Sequence, residues 1–433
     1  MIVRSSKSGK EGEGTLVPLL ENLPSSQWNT LIDKLCRYYP EGGSSGVLPP
    51  HFLKSTFPKI GGKIAHLSEG GADFWGLILP GADQEGPTWT LRAHWRGADE
   101  AFRNRVEMGL TMQLYDLGYG SGTWYNVDQQ RDNDFTGQHI KDYGIYRMGT
   151  PNRAQALEAQ DLQQQVWKVT DSAYLYPFDL YRPDSGLPTR LVATVNSKVV
   201  GFLFGFHARG HQWTGQDEMN YPWIESQLMG VQEDHRRQGL GKQLKFLQRE
   251  LILQEHTSLI HWTFDPLQAG NAFLNLNELG GIIVHFYPNY YPFQNELNRV
   301  PASRIGVSWF LRSDRVITAA SGKLHPPNYA LLRNSIDTSV IIPVDTSSQT
   351  PIAFDAEEWM PKGKTILIQI PNHWTEMQNQ NESLAAVWRK TTDAIFAKIL
   401  GTEDDKYALT GITTDLEKET VFLVAQRSSR DFI

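Results

Sequence analysis

The stretch Val231-Gln232-Glu233-Asp234-His235-Arg236-Arg237-Gln238-Gly239-Leu240-Gly241-Lys242 lies between an apolar run, Ile224 to Val231, and a helix-patterned run, Gly239 to Gln254. The first predicts a strand; in the second, Leu240, Leu244, Leu247 and Leu251 share one helical face. The glycines remove side chains where an anion would approach the backbone. A helix start presents unpaired N–H groups and a partial positive charge, and Arg236, Arg237 and Lys242 add full charges. The stretch therefore reads as a cradle for a diphosphate. Its leucine face would pack the helix on a sheet and so fix where the N–H groups point. Neither the Walker phosphate-loop pattern nor the dinucleotide Gly-x-Gly-x-x-Gly pattern is present.

Outward from the cradle, the chain predicts a strand over Ile145 to Met148 and a helix over Asn152 to Lys168, with Pro151 suited to the first turn. Arg190 to Thr194 and Val199 to His207 flank Asn196-Ser197 as a hairpin. Beyond the cradle helix come a strand at Leu259 to Phe264, a short helix at Asn271 to Leu279, and strands at Gly281 to Phe286 and Arg304 to Leu311. This mixed order predicts an α+β (α/β mixed sheet) architecture with a partly antiparallel sheet.

Before it, a helix from Ser25, strands at Lys63 to Leu67, Phe74 to Leu79 and Thr88 to Trp95, a helix over Gly97 to Leu117 and a strand at Gly122 to Asn126 echo the later order. After it, Thr365 to Ile370, Ser383 to Leu400, Tyr407 to Thr413 and Thr420 to Gln426 read as strand, helix, strand and strand. The expected domains are 1–130, 143–312 and 313–433. The polar run Asp128 to Lys141 is the candidate linker, and the loop Asp337 to Pro361 tethers the tail.

Composition narrows the function classes. The 433 residues, 40% hydrophobic and 21% charged, can bury sizeable cores. With 41 Lys plus Arg against 48 Asp plus Glu, the net charge of -7 gives no broad reason to bind nucleic acid, so an anion site must be local. One cysteine, Cys36, excludes an intramolecular disulfide and reads as a small buried residue rather than a nucleophile. The polar start, Met1 to Gly14, and the absence of a long apolar run argue against export and membrane spanning, so a cytoplasmic location is expected. His207, His211, His235, His256, His261 and His285 show no close ligand spacing with carboxylates, and no metal is expected. Trp75, Trp89, Trp95 and Trp124 read as core.

Arg236, Gly239 and Gly241, with Val231 five positions before the arginine, resemble the acyl-CoA motif Gln/Arg-x-x-Gly-x-Gly/Ala of the GNAT acyltransferase superfamily. The surrounding element order from about 143 to 312 agrees with that fold, possessing the strand before and the helix after. Trp262 to Leu267 (Trp-Thr-Phe-Asp-Pro-Leu), Asn271-Ala272, Leu274-Asn275-Leu276 and Leu279-Gly280 look like a bacterial branch of GNAT proteins, some of whose relatives are linked to N-acylation of amino acids, including succinyl transfer. That likeness extends to Ile366 to Pro371 and Trp388 to Ile395. The resemblance implies acetyl-CoA or another acyl-CoA as cosubstrate. It assigns the pantetheine arm to the backbone of Met229 and Val231. The pyrophosphate falls to Arg236, Arg237, Gln238, Gly239, Leu240, Gly241 and Lys242, and Asn271 joins the cofactor-binding set.

Amide formation from a thioester needs a base for the amine, a donor for the oxyanion and an acid for the departing thiolate. The resemblance points to Glu225 as base, with a solvated strand-end carboxylate as the alternative. Asp265 is a second base, an ammonium ligand, or a turn cap. The backbone N–H of Val231 is the oxyanion donor. The family's acid is a tyrosine where this chain has Leu276; Tyr287, with Tyr290 and Tyr291 nearby, is the replacement, or part of an aromatic wall. The expected function is N-acylation of a small amine such as an amino acid. The alternatives are an acyl-CoA sensor without turnover and another acyl-CoA reaction such as decarboxylation. Residues 1–130 have only Arg96-Gly97-Ala98-Asp99 at the corresponding turn, so they should share the fold without binding CoA; they could serve as a subunit interface in a homodimer or as a wall of the acceptor pocket.

Overall fold

A computed structural model of the chain describes residues 2–4, 16–38, 47–83, 85–127, 135–168, 171, 174–209, 222–255, 257–291, 298–345, 350–351 and 362–428. His211, His256, the first half of the candidate linker and most of the loop 346–361 lie outside the described residues. Contacts divide the chain into Met1–Thr257 and Ser258–Ile433. The break falls inside the expected 143–312 segment, which therefore contributes to both units.

In the first unit, helices α1 (Ser25–Tyr38) and α2 (Pro50–Ser55) fall between the second and third strands of a six-stranded sheet. Its strands are β1 (Ile2–Arg4), β2 (Leu19–Leu20), β3 (Lys63–Glu69), β4 (Ala72–Asp83), β5 (Gly86–Arg96) and β6 (Ser121–Asn126), in the order β1-β6-β5-β4-β3-β2. The triplet β3, β4, β5 is antiparallel, and α3 (Glu100–Asp116) crosses over to bring β6 parallel to β5. Phe74, Trp95 and Trp124 from the strands pack on Val106, Leu110 and Leu114 of α3, so the tryptophans are core as expected.

The same unit then runs through β7 (Gln138–Tyr143), β8 (Tyr146–Thr150), α4 (Arg153–Trp167), β9 (Thr189–Val195), β10 (Lys198–Ala208), β11 (Trp223–Val231) and α5 (Leu240–Gln254). The strands lie in sequence order, each antiparallel to the next. The tail of the candidate linker is thus β7, its polar residues fitting an exposed outer strand. Asn196 and Ser197, at φ 50° and 66°, make the tight hairpin turn expected between β9 and β10. Pro151 is not in the first turn of α4: Asn152 caps the helix, accepting from Gln155 N–H, while the Gln155 side chain returns to the Asn152 N–H. Leu240, Leu244 and Leu247 of α5 pack on Met148, Leu191 and Leu203, the core that the leucine spacing implied.

The second unit holds β12 (Leu259–Phe264), α6 (Ala269–Ala272), β13 (Ile282–Tyr291), β14 (Ala302–Phe310), α7 (Asp314–Ala320), α8 (Tyr329–Arg333), β15 (Thr338–Ile341), the small pair β16 (Val344–Asp345) and β17 (Thr350–Pro351), β18 (Thr365–Ile370), α9 (Trp374–Gln380), α10 (Glu382–Ile399), β19 (Tyr407–Asp415) and β20 (Thr420–Arg427). Its main strands lie in the order β15-β18-β20-β19-β13-β14-β12, with β14 antiparallel to both β12 and β13. The helix expected over Asn271 to Leu279 is α6 followed by a π-helical turn, Phe273–Glu278. Asn277 bonds both the N–H and C=O of Ile412, and Trp262 donates to Asn275, so tertiary bonds hold the widened turn. The expected mixed α+β class and the order strand, helix, hairpin, strand, helix, strand, helix, strand, strand are both present.

Candidate functional site

The cradle is a turn whose backbone is set before the helix begins. Glu233–His235 forms a single 3₁₀ turn, Arg237 sits at φ 60° and Gly239 at φ 80°. A side chain would strain the backbone at Gly239, although nothing lies within 4 Å of where its Cβ would be. The turn is clamped by Gln238, which accepts from the Tyr146 hydroxyl at 2.8 Å and donates to the Asp234 carbonyl at 2.8 Å. Tyr146 is buried, so it ties the loop to the sheet. The first helical bond of α5 runs from Gln243 N–H to Gly239 C=O. By helix geometry the N–H groups of Leu240, Gly241 and Lys242 then have no partner within the helix. Gly239 provides no side-chain cap and the first turn has no acidic residue. Arg236 and Arg237 are exposed beside it and Lys242 is half-buried.

Strand β11 delivers the chain to that turn in a defined orientation. Gln232 N–H donates to Val200 C=O, and Val231 and Met229 lie opposite Gly201 and Leu203. Pairs alternate in an antiparallel ladder, so the backbone N–H and C=O of Met229 and Val231 point away from β10. Arg236 Nε accepts this geometry by donating to the Val231 carbonyl at 3.1 Å. Upstream, the register slips: Phe204 faces Leu228 but Phe206 faces Glu225, so Ser226 and Gln227 oppose Gly205 alone. This is a β-bulge. Gly205 permits it, since a Cβ there would meet the Glu225 carbonyl at 2.8 Å.

Glu225 is 5% exposed, not a solvated strand-end carboxylate. Its neighbours by charge are Lys245 of α5 and Lys59. Burial pulls the Lys245 ammonium well below the ordinary lysine range while the Glu225 charge pulls it back, and Lys59 feels the same opposition.

In the second unit, Asp265 is buried and both its oxygens are engaged. One accepts from Leu267 N–H at 3.0 Å; the other accepts from Arg389 Nη2 at 2.6 Å and Trp374 Nε1 at 3.1 Å. The turn-cap bond is present, and a buried ion pair with Arg389 holds the other oxygen. Both motif-bearing segments, Trp262 to Leu267 and Trp388 to Ile395, thereby meet in one buried cluster. Asn271 lies exposed on α6, and Leu276 is core.

Tyr287 is half-buried on β13, its ring 5.9 Å from Tyr290, 6.4 Å from His285 and 6.5 Å from His261. The registers His261 to Ser308, His285 to Gly306 and Tyr287 to Arg304 place the three side chains on one face. Burial, then the His261 charge, push His285 down to about 4, so its imidazole is neutral near pH 7. Sequence reasoning weighed these histidines only as metal ligands. The signal available was the alternation His261-x-Thr263 and His285-x-Tyr287 with Ile260, Trp262 and Phe286 between. Among the described residues, no three His, Cys, Asp or Glu side chains gather to hold a metal ion. Cys36 is pushed up to about 11 by burial, which disfavours a thiolate.

The corresponding turn of the first sheet is closed. There Asp99 caps α3, its carboxylate accepting from Phe102 N–H at 2.7 Å. An anionic side chain sits where the later helix has only Gly239.

No family model matches the chain, and no curated protein matches it. Solved structures do. The ribosomal-protein-S18-alanine N-acetyltransferase from Escherichia coli is 14% identical, over 38% of this chain and 92% of its own, at a TM-score of 0.29. A putative acetyltransferase from Salmonella typhimurium with acetyl-CoA is 14% identical, over 39% and 95%, at 0.30. Diaminobutyrate acetyltransferase from Paenibacillus lautus, with its substrate and coenzyme A, is 16% identical, over 39% and 97%, at 0.29. The cradle stands on its own geometry beside these likenesses.

Proposed function

We propose that residues 143–312 form a GNAT-type acyl-CoA-dependent N-acyltransferase acting on a small amine such as an amino acid. The carrying observation is the uncapped, basic start of α5, aligned by β11. In this reading the N–H groups of Leu240, Gly241 and Lys242, with Arg236 and Arg237, bind the pyrophosphate. The outward-directed backbone of Met229 and Val231 takes the amide-bearing arm in the manner of an added strand. The thioester supplies an activated acyl carbon. Glu225 accepts the amine proton, Val231 N–H receives the developing oxyanion, and the departing thiolate takes a proton from water as the C–S bond breaks. Nitrogen gains the acyl group and sulfur gains a proton, so the exchange balances.

Calorimetry with CoA and acetyl-CoA tests the reading. Saturable binding is expected, weakened about tenfold or more by Gly239→Val together with Arg236→Ala. Absence of saturable binding, or indifference to those changes, overturns it. Leu276 in the core position favours a second reading, an acyl-CoA-binding protein without turnover. It predicts CoA affinity with no thiol release across a panel of amines.

A further inference from the structure

Beneath the bulge of β11 lies a buried polar chain that none of the roles above uses. Lys245, 2% exposed, donates from Nζ to Ser226 Oγ at 2.7 Å and, more weakly, to Gln248 Oε1 at 3.4 Å. Ser226 Oγ in turn donates to Gln248 Oε1 at 3.0 Å, and Gln248 Nε2 donates to Thr189 Oγ1 at 2.9 Å. All four side chains are buried, and the donors run one way from α5 through the bulge to β9. Ser226 is one of the two residues that oppose Gly205 alone, so the chain grips the bulge at its extra residue. A Cβ at Gly205 would also meet Thr189 Oγ1 at 3.1 Å, so the site is closely built on the far side as well.

A bulge is a soft point in a ladder because its extra residue has no cross-strand partner. Buried donors and acceptors fix it when every member is satisfied. With the register held from Leu228 to Val231 by its own pairs, loss of the bulge's extra residue would shift Glu225 by one and turn it to the other face of the sheet. We propose that Lys245, acting through Ser226 and Gln248, is a positioning residue that locks the β11 bulge and thereby sets the aim of Glu225. The mechanistic consequence rests on the acyltransferase reading; the structural consequence does not.

Ser226→Ala and Lys245→Met are compared with the unaltered chain in three measurements. These are hydrogen exchange of the amides from 224 to 229, calorimetric titration with CoA, and thiol release from acetyl-CoA with a panel of free amino acids. The expected result is about tenfold faster exchange in that segment. The kcat should fall about tenfold or more while KM for acetyl-CoA and CoA affinity stay within about twofold, because the α5 cradle is untouched. Unchanged exchange in Ser226→Ala overturns the proposal, as does faster exchange with unchanged kcat. Should Lys245→Met fail to fold, Ser226→Ala decides alone. Should the unaltered chain release no thiol with any amine, the function proposed above falls, and the exchange rates still judge the lock.

Discussion

At the scale of single residues, the chemistry divides into positions that must stay empty and positions that must stay paired. Gly239 belongs to the first kind. Its φ of 80° costs a side-chain-bearing residue about 1 to 2 kcal/mol, so Gly239→Ala is expected to lower stability by that order and to weaken CoA binding by tilting the first turn of α5. Urea unfolding and calorimetry on the same variant check both. Asp265 belongs to the second kind. Asp265→Ala leaves the Arg389 guanidinium, itself 3% exposed, with Asp393 at 3.8 Å as its remaining ion-pair partner among the described residues. Loss of about 3 to 5 kcal/mol is expected, as for other buried pairs broken on one side. A base would behave otherwise: its removal would cost turnover and leave the melting temperature nearly unchanged.

At the scale of elements, two helices follow antiparallel strand triplets and differ at one end. Asp99 fills the start of α3 with its own carboxylate, whereas α5 begins at Gly239 with no side-chain cap. One CoA per chain is therefore expected by calorimetry, and two equivalents would refute the assignment of the first sheet as a non-binding relative. Asp99→Ala should cost about 1 kcal/mol in urea unfolding through the lost cap. It should not create a second site, because Arg96-Gly97-Ala98-Asp99 has a single basic residue and lacks the second glycine of the later turn.

At the scale of the molecule, buried histidines make the two units respond differently to acid. In the first unit, burial holds His51 near 4, and burial with a nearby arginine holds His94 near 3 and His207 near 4, all from an ordinary 6.5. Between about pH 4 and 6.5 the unfolded chain binds these protons and the folded unit does not, so stability rises with pH across that window and is lost below it. Glu255, pushed up to about 7 by burial, has the opposite sign and cancels about one proton. Roughly two remain, or at most about 2 to 3 kcal/mol per pH unit near pH 5. In the second unit His285, near 4, is opposed by Asp393, raised to about 6 by burial, and the slope should be nearly flat. Urea titrations from pH 4.5 to 7.5, with hydrogen exchange assigning each transition, should find the first unit losing stability on acidification and the second holding.

The order of strands and helices, the hairpin at Asn196-Ser197, the leucine face of α5 and the anion-ready turn at Arg236 to Lys242 were all determined by sequence alone. Each depends on local periodicity, on turn chemistry or on the properties of a helix end, which neighbouring residues dictate. Tertiary structure alone decided the pairing of Asp265 with Arg389, 124 residues away, the meeting of His261, His285 and Tyr287 on one face, and the Lys245 chain under the bulge. Those depend on strand register and burial. A one-residue slip exchanges the faces of a strand, and a carboxylate reads the same in sequence whether water or a guanidinium surrounds it.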